Sequence, residues 1–377
     1  MNSRERILSA MECREVDYLP MSIYFNSNLE VEGYDLSIWS ENIRLQHDLG
    51  CDPVIHLQVN NAMENSVERR CWRENLPGQG YPVQFEEFRT PAGNLRMGVK
   101  VFGGWPADTG SIPWGDESAG NLFEPLIKSP EDIEAFSYLH RPPGTREIAE
   151  AGRINGSRFA AAEKYGCATL CRTGQGLATY MFVMGAERSV IFSMDYPEAF
   201  SRLAGIDHEV NLGRIKAAAE LGADIGGRFG GYEQTNFYSP AQFRKIVKPF
   251  LEREAEALRG SGMKSFYRVV SGAAPLLEDI SCTGFDCIEG GEPRLDPASS
   301  FERWAQAFKG KCSCWTGVSS PVLLGRGDST EVRREVGRAV EIFGRKGFIL
   351  GVTNSIRKHF KWENTLAMID EWKKLRK

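Results

Sequence analysis

From Glu209 to the C-terminus, apolar positions follow two alternating rhythms. Ser239-Pro240 opens a segment with Phe243, Ile246, Val247, Phe250 and Leu251, the i, i+3, i+4, i+7, i+8 spacing of a helix with one buried face. Asp328-Ser329 opens another, with Val332, Val336, Val340 and Phe343. Between and around them lie 264–270 (KSFYRVV), 285–289 (FDCIE), 312–318 (CSCWTGV) and 347–352 (GFILGV). Each is short, rich in β-branched or aromatic residues and bounded by Gly, Ser or Pro, which predicts strands. Upstream, 223–229 (ADIGGRF), 167–172 (CATLCR), 52–58 (DPVIHLQ) and 19–24 (LPMSIY) bring the strand candidates to eight. Strands alternating with helices imply a parallel sheet. Eight such units favour an α/β fold of the closed (β/α)8 TIM-barrel type over an open doubly wound sheet, and place the active site at the strand C-termini.

At 377 residues the chain exceeds the roughly 250 typical of one such barrel, so the expectation is a single barrel domain over 1–377 with an insertion at approximately 59–165. Residues 1–18 read as an N-terminal capping helix. In 82–103 two alternating runs flank Pro91-Ala92-Gly93-Asn94, which is β-hairpin chemistry. Gly103 to Gly120 then reads as a long surface loop, a lid, a docking surface or plain decoration. Ser129-Pro130-Glu131-Asp132 carries a hydroxyl N-cap, Pro at the first helical position and acids in the first turn.

The formal net charge of −4 gives no electrostatic footprint for nucleic acid. The basic C-terminus (Lys373, Lys374, Arg376, Lys377) reads as a solvated helix end. No run of about 18 apolar residues suggests a membrane span, and the first 17 residues are charged and amphipathic without a signal-peptide core. Nine cysteines form an odd set without framework spacing, as in a reducing compartment. A cytoplasmic location is therefore expected. Cys312 and Cys314 share a strand face, where either thiolate ligation or barrel packing accounts for them.

No Walker loop, His-Glu-x-x-His or Gly-x-Ser-x-Gly motif occurs. Gly226-Gly227-Arg228-Phe229-Gly230-Gly231-Tyr232-Glu233 lies at a strand C-terminus. Its glycines permit close backbone approach of a ligand, Arg228 suits a bidentate carboxylate clamp, and Glu233 suits acid or base work; a flexible turn explains the same residues. His56 ends an apolar run, either as hydrogen-bonded core or as a proton-transfer group. Glu289 stands before Gly290-Gly291 and points into the barrel mouth or into solvent. Of Tyr267 and Arg268, one should face inward.

Taken in order, Arg4-Glu5-Arg6-Ile7-Leu8 with Asp17-Tyr18-Leu19-Pro20, Pro125 to Phe136 (PLIKSPEDIEAF), Thr179-Tyr180-Met181 with Gly185, Tyr238-Ser239-Pro240, Pro275-Leu276-Leu277 with Gly284-Phe285-Asp286, and Gly347-Phe348-Ile349-Leu350 resemble the uroporphyrinogen decarboxylase superfamily over nearly the whole chain. That superfamily also contains cobamide-dependent methyltransferases, and the resemblance implies the same barrel. Its decarboxylases carry an arginine-bearing N-terminal segment, where this chain has Met21-Ser22-Ile23-Tyr24-Phe25-Asn26. Their pyrrole-binding aspartate falls near His56 and their C-terminal histidine near Asn354, while Tyr180 matches. The thiol-activating methyltransferases hold zinc with His-x-Cys and a later Cys; here those positions are Val269, Ser271 and Asn354, without soft or imidazole ligands. The resemblance then implies a demethylase-type methyltransferase that moves a methyl group from a small methoxylated or methylated donor to the corrinoid of a separate protein. Glu233, Glu289, Tyr180 or His56 would bring a proton or a metal to the departing oxygen, and Arg228, Tyr232, Arg268 and Asn354 would bind an acidic substrate. A homodimer is compatible with this reading. The alternatives are a decarboxylase of tetrapyrrole metabolism and a non-catalytic tetrapyrrole-binding protein.

Overall fold

A computed structural model describes residues 1–377 except 107–109, 297 and 299. The described chain forms two compact units, the first comprising Met1–Val59, Ile148–Thr173 and Ile215–Lys377, the second Asn60–Glu147 and Gly174–Arg214. In chain order the strands are β1 (Glu30–Val31), β2 (Tyr34–Asp35), β3 (Val54–Leu57), β4 (Glu68–Glu74), β5 (Val83–Thr90), β6 (Gly93–Lys100), β7 (Leu122–Glu124), β8 (Ala168–Gly174), β9 (Ile225–Phe229), β10 (Lys264–Val269), β11 (Cys287–Gly290), β12 (Ser313–Val318) and β13 (Phe348–Val352).

The first unit is built on a parallel seven-stranded sheet in the order β13-β12-β11-β10-β9-β8-β3, an α/β arrangement of TIM-barrel type. Seven of the eight anticipated strands are present, each within a few residues of its expected bounds. The eighth, 19–24, is reduced to one parallel bridge between Met21 and Leu350. Pro20 has no N–H to donate, and the segment contributes isolated hydrogen bonds instead: Leu350 N–H to the Pro20 carbonyl, Ser22 N–H to the Leu350 carbonyl, and Asp52 N–H to the Met21 carbonyl. The segment thus bonds to β13 on one side and, through Asp52, just ahead of β3 on the other.

The N-terminal helix α1 (Ser3–Met11) is shorter than the 1–18 expected. Asn2 and Glu5 form a reciprocal capping box, and Cys13 at φ 52° turns the chain out of the helix. Ile7, Ala10 and Met11 join one buried cluster with Val54, Ala168, Leu170, Ile225, Phe266, Cys287, Trp315 and Ile349. α1 therefore caps the sheet interior at the N-terminal ends of the strands. Arg6 fixes it there: the guanidinium bonds to Asp52, which is fully buried, and to Asp17, and lies over the Tyr18 ring at 3.6 Å.

The helix opened by Ser239 begins at Pro240–Gln242, loosens into a π-helical turn at Phe243–Val247 and continues as Lys248–Gly260. Asp328 caps Ser329–Phe343 as expected. In the second unit, β4-β5-β6-β7 form an antiparallel sheet. The anticipated hairpin is β5-β6, with Thr90 opposite Gly93 across the Pro91-Ala92 turn. The helix expected at Ser129 starts at Asp132, whose carboxylate accepts from the N–H groups of Lys128 and Ser129. Of the long loop, Asp116–Gly120 is a short helix, and 107–109 lie outside the described residues. Among the described residues, no helix is long and apolar enough to cross a membrane.

Candidate active site

Strand alternation decides which side chains meet. Val54, Leu170, Phe266 and Cys287 belong to the buried interior cluster. Because successive side chains point to opposite faces, the residues two positions further on, His56, Arg172, Arg268 and Glu289, point inward one layer nearer the strand C-termini. Phe229 joins them: the parallel register sets Arg268 beside Phe229 on one side and beside Glu289 on the other. Five adjacent strands therefore supply an imidazole, two guanidiniums, a carboxyl and a phenyl ring to the interior near the strand C-termini, with Phe229, Arg268 and Glu289 side by side and His56 level with Leu170, two residues before Arg172, at the barrel end where catalytic residues gather.

Their contacts bear this out. Arg268 Nη1 lies 3.3 Å from Glu289 Oε1, and Arg268 Nη2 donates to Asn354 Oδ1 at 3.3 Å. The Arg172 guanidinium lies 3.7 Å from the centroid of the Phe229 ring and that of Arg268 5.4 Å from the same centroid, cation–π contacts that hold both arginine heads around one ring. Tyr24, 45% exposed, meets His56 edge-on with centroids 5.9 Å apart, so the imidazole lies beside a solvent-facing side chain. Burial, followed by the positive charges of Arg172, Arg268 and Arg158, lowers the His56 pKa to about 3. The imidazole is neutral at physiological pH, available to accept or donate one hydrogen bond. Burial raises the Glu289 carboxyl above its ordinary value, with Arg268 and Arg172 opposing; a carboxyl so raised is suited to proton donation.

Arg228 and Glu233 occupy the opposite face of the wall. Both are almost wholly buried. Arg228 Nε and Nη2 both donate to Glu233, and Nη1 donates to Glu254 at 2.7 Å; Glu254 belongs to the helix Lys248–Gly260. The Tyr267 hydroxyl donates to Glu233 at 3.0 Å. Burial and the neighbouring Glu233 push the Tyr267 phenol well above its ordinary value. The carboxylate that Arg228 clamps is thus internal to the protein. The surrounding glycines are filled by protein as well: a Cβ at Gly226 would meet Leu258 at 2.4 Å, and one at Gly230 would meet Tyr267 at 2.4 Å. Tyr232 packs its ring against Phe237.

Tyr180 lies in the second unit, fully buried. Its hydroxyl donates to the Leu203 carbonyl and its ring meets Phe136 and Phe200 edge-on. At the positions that hold zinc in the thiol-activating relatives, Val269 presents only carbon, the Ser271 N–H donates to Gln234 Oε1 at 2.8 Å, and Asn354 accepts from Arg268. These residues do not fit a zinc ion, which takes thiolate, imidazole or carboxylate ligands.

Sequence reading missed Arg172, Phe229, Tyr24 and Glu292. The signal for Arg172 was present: it lies two residues beyond Leu170, in phase with the apolar interior positions of β8. Glu292 is buried just past Gly290-Gly291, two glycines whose φ of 103° and 74° take the chain through left-handed backbone. It accepts from the hydroxyls of Ser319 and Thr353 and from the Arg294 N–H. Its carboxyl is raised by burial, with those hydrogen bonds opposing. It ties the segments following β11, β12 and β13 together, and Thr353 adjoins Asn354 of the inner layer.

Comparison with known proteins agrees with this architecture. The family model for uroporphyrinogen decarboxylase (URO-D) matches residues 115–375. Uroporphyrinogen decarboxylases from two strains of Thermus thermophilus are each 31% identical over 157 residues, 41% of this chain and 43% of theirs; the matched stretch spans less than half of those relatives. Among solved structures, a methyltransferase from Methanosarcina mazei is similar over 100% of this chain and 99% of its own, with TM-score 0.61 and 15% identity. A B12-independent methionine synthase from Shewanella sp. W3-18-1 is similar over 94% of this chain and 96% of its own, with TM-score 0.51 and 10% identity. At such identities the two structures speak for the fold alone.

Proposed function

The chain belongs to the uroporphyrinogen decarboxylase family, and from that premise we propose that it is an enzyme transferring a methyl group from a small methoxylated or methylated compound to the corrinoid of a partner protein. The observation that carries this reading is the Glu289 carboxyl, half-buried and raised, 3.3 Å from Arg268 in an interior shared with the neutral His56. Breaking a methyl–oxygen bond leaves the electron pair on oxygen, a poor leaving group until protonated. Glu289 supplies that proton and Arg268 holds the carboxylate that remains. His56, kept neutral by its surroundings, orients the donor through a hydrogen bond. Asn354 fixes Arg268 from the other side. A corrinoid, held by its own protein, would supply the cobalt electron pair that accepts the methyl group. What this chain must provide is an accessible approach to the inner layer, and the exposed Tyr24 beside His56 marks one. Arg228 and Glu233 act as positioning residues behind the wall.

A second reading, decarboxylation, is favoured by the two guanidiniums of the inner layer, which suit a substrate with several carboxylates. One experiment separates them. The protein is mixed with free cob(I)alamin and a panel of methyl donors while the cobalt spectrum is followed, and in parallel with uroporphyrinogen while carbon dioxide release is measured. Methyl transfer that falls by about a hundredfold or more in Glu289→Gln, as loss of a general acid requires, supports the proposal. Carbon dioxide release without change in the cobalt spectrum would replace it with the second reading.

A further inference from the structure

We propose that the methyl donor is an organic anion whose carboxylate is gripped jointly by Arg172 and Arg268, with its reacting end directed at Glu289; this inference deepens the methyl-transfer reading and rests on it. Three observations lead there. First, β8 and β10 send arginines into the same layer, and both heads converge on one ring, at 3.7 and 5.4 Å from the centroid of Phe229. Guanidinium groups present forked N–H donors matched to a carboxylate, and the Phe229 ring restrains both forks before a ligand arrives.

Second, the two arginines are held differently. Arg268 is anchored by Glu289 and Asn354 on its Nη atoms, which fixes it beside the candidate acid. Arg172 stands over the Phe229 ring, its guanidinium carbon 3.7 Å from the centroid, so the two forks meet one carboxylate from two sides, with Arg268 on the side of the candidate acid.

Third, the layer is electrically positive at the imidazole. The charges of Arg172, Arg268 and Arg158 all act against protonation of His56, although Arg158 itself turns to the His56 carbonyl and the Trp39 ring. A neutral imidazole on β3, next to the strand that carries Arg172, adds a hydrogen-bonding group to this anion-binding set. A neutral donor would gain nothing from it.

The test uses the full chain and acid–amide pairs of matched shape: methoxyacetate with methoxyacetamide, and 4-methoxybenzoate with 4-methoxybenzamide. Calorimetric titration of the wild-type protein should give at least one acid binding about tenfold to a hundredfold tighter than its amide, the range expected for hydrogen bonds to a charged group. Arg172→Gln should erase most of that preference and Arg172→Lys restore part of it, each with an unchanged thermal unfolding midpoint. Equal binding of acid and amide, or no binding of either acid, overturns the inference without recourse to any variant. The cob(I)alamin assay on the same pairs keeps the two levels apart. Acids that bind but transfer no methyl group sink the methyl-transfer reading and leave the anion site standing. Transfer from amides as readily as from acids does the reverse.

Discussion

His56 offers the most direct check on the electrostatics of the inner layer. Its pKa is lowered to about 3 by burial and then by Arg172, Arg268 and Arg158, whereas an ordinary imidazole titrates near ~6.5. At about pH 5 an ordinary histidine would be roughly 97% protonated and His56 about 1%. The difference also appears in stability. Since the folded-state value is depressed, the unfolded chain binds this proton first. The contribution of His56 is present in full above about pH 6.5 and is lost as pH falls toward about 3, at ~1.4 kcal/mol per pH unit, or about 2 kcal/mol between pH 7 and 5. Imidazole NMR resonances of the five histidines, followed from roughly pH 8 to 4.5, provide the assay, with His56→Gln identifying the signal that disappears. The His56 resonance should stay fixed across that range. In urea unfolding, the stability gap between wild type and His56→Gln should shift by about 2 kcal/mol over the same interval. A His56 signal titrating with a midpoint near the ordinary value would refute the positive, partly buried layer, and with it the neutral imidazole on which the proposed chemistry draws.

Two further outcomes follow from the wall. Glu233→Ala removes the carboxylate that accepts from Arg228 and Tyr267; breaking a buried pair of this kind should cost about 3–5 kcal/mol and lower the thermal unfolding midpoint markedly, and an unchanged midpoint would contradict a structural role. Gly227→Ala places a Cβ 2.4 Å from the Phe266 carbonyl oxygen and 2.2 Å from its ring, an overpacking expected to cost roughly 1–3 kcal/mol; a variant as heat-stable as wild type would show that β9 and β10 are not in this register.

The relay of strands and helices was legible because each strand is a short apolar run with firm breakers at its ends, and each major helix carries one apolar stripe. The segment 19–24 passed the same composition test but contains Pro20, whose missing N–H leaves a single bridge where a ladder was expected. The candidate site was half legible for a different reason. In strands buried on both faces, hydrophobicity does not reveal the phase, and a one-residue error exchanges interior and exterior. Arg228 and Phe229 illustrate this: the charged residue was read as the ligand contact, yet Phe229 points inward and Arg228 faces the helices. Arg268 and Glu289 drew notice in the sequence because they stand near the ends of their strands, ahead of glycine- or serine-containing turns, and Arg172 stands near the end of β8 in the same manner.

One feature on an outer helix carried the missing phase. Along Lys248–Gly260 the buried positions are Leu251, Glu254, Ala255 and Leu258, the spacing of a single face. An acid on the buried stripe of a helix packed against a sheet requires a cation or donor on the strand beneath it, since an uncompensated buried carboxylate is costly. The strand just before that helix offers Arg228, and Arg228 Nη1 meets Glu254. Assigning Arg228 to Glu254 turns its neighbour Phe229 inward. The parallel register then brings Arg268 beside Phe229 and Glu289 beside Arg268. The orientation of the inner layer thus follows from satisfying one buried charge on the outside of the wall, which is why the same substitution at Glu233 that weakens the fold should also disorder the ring formed around Phe229.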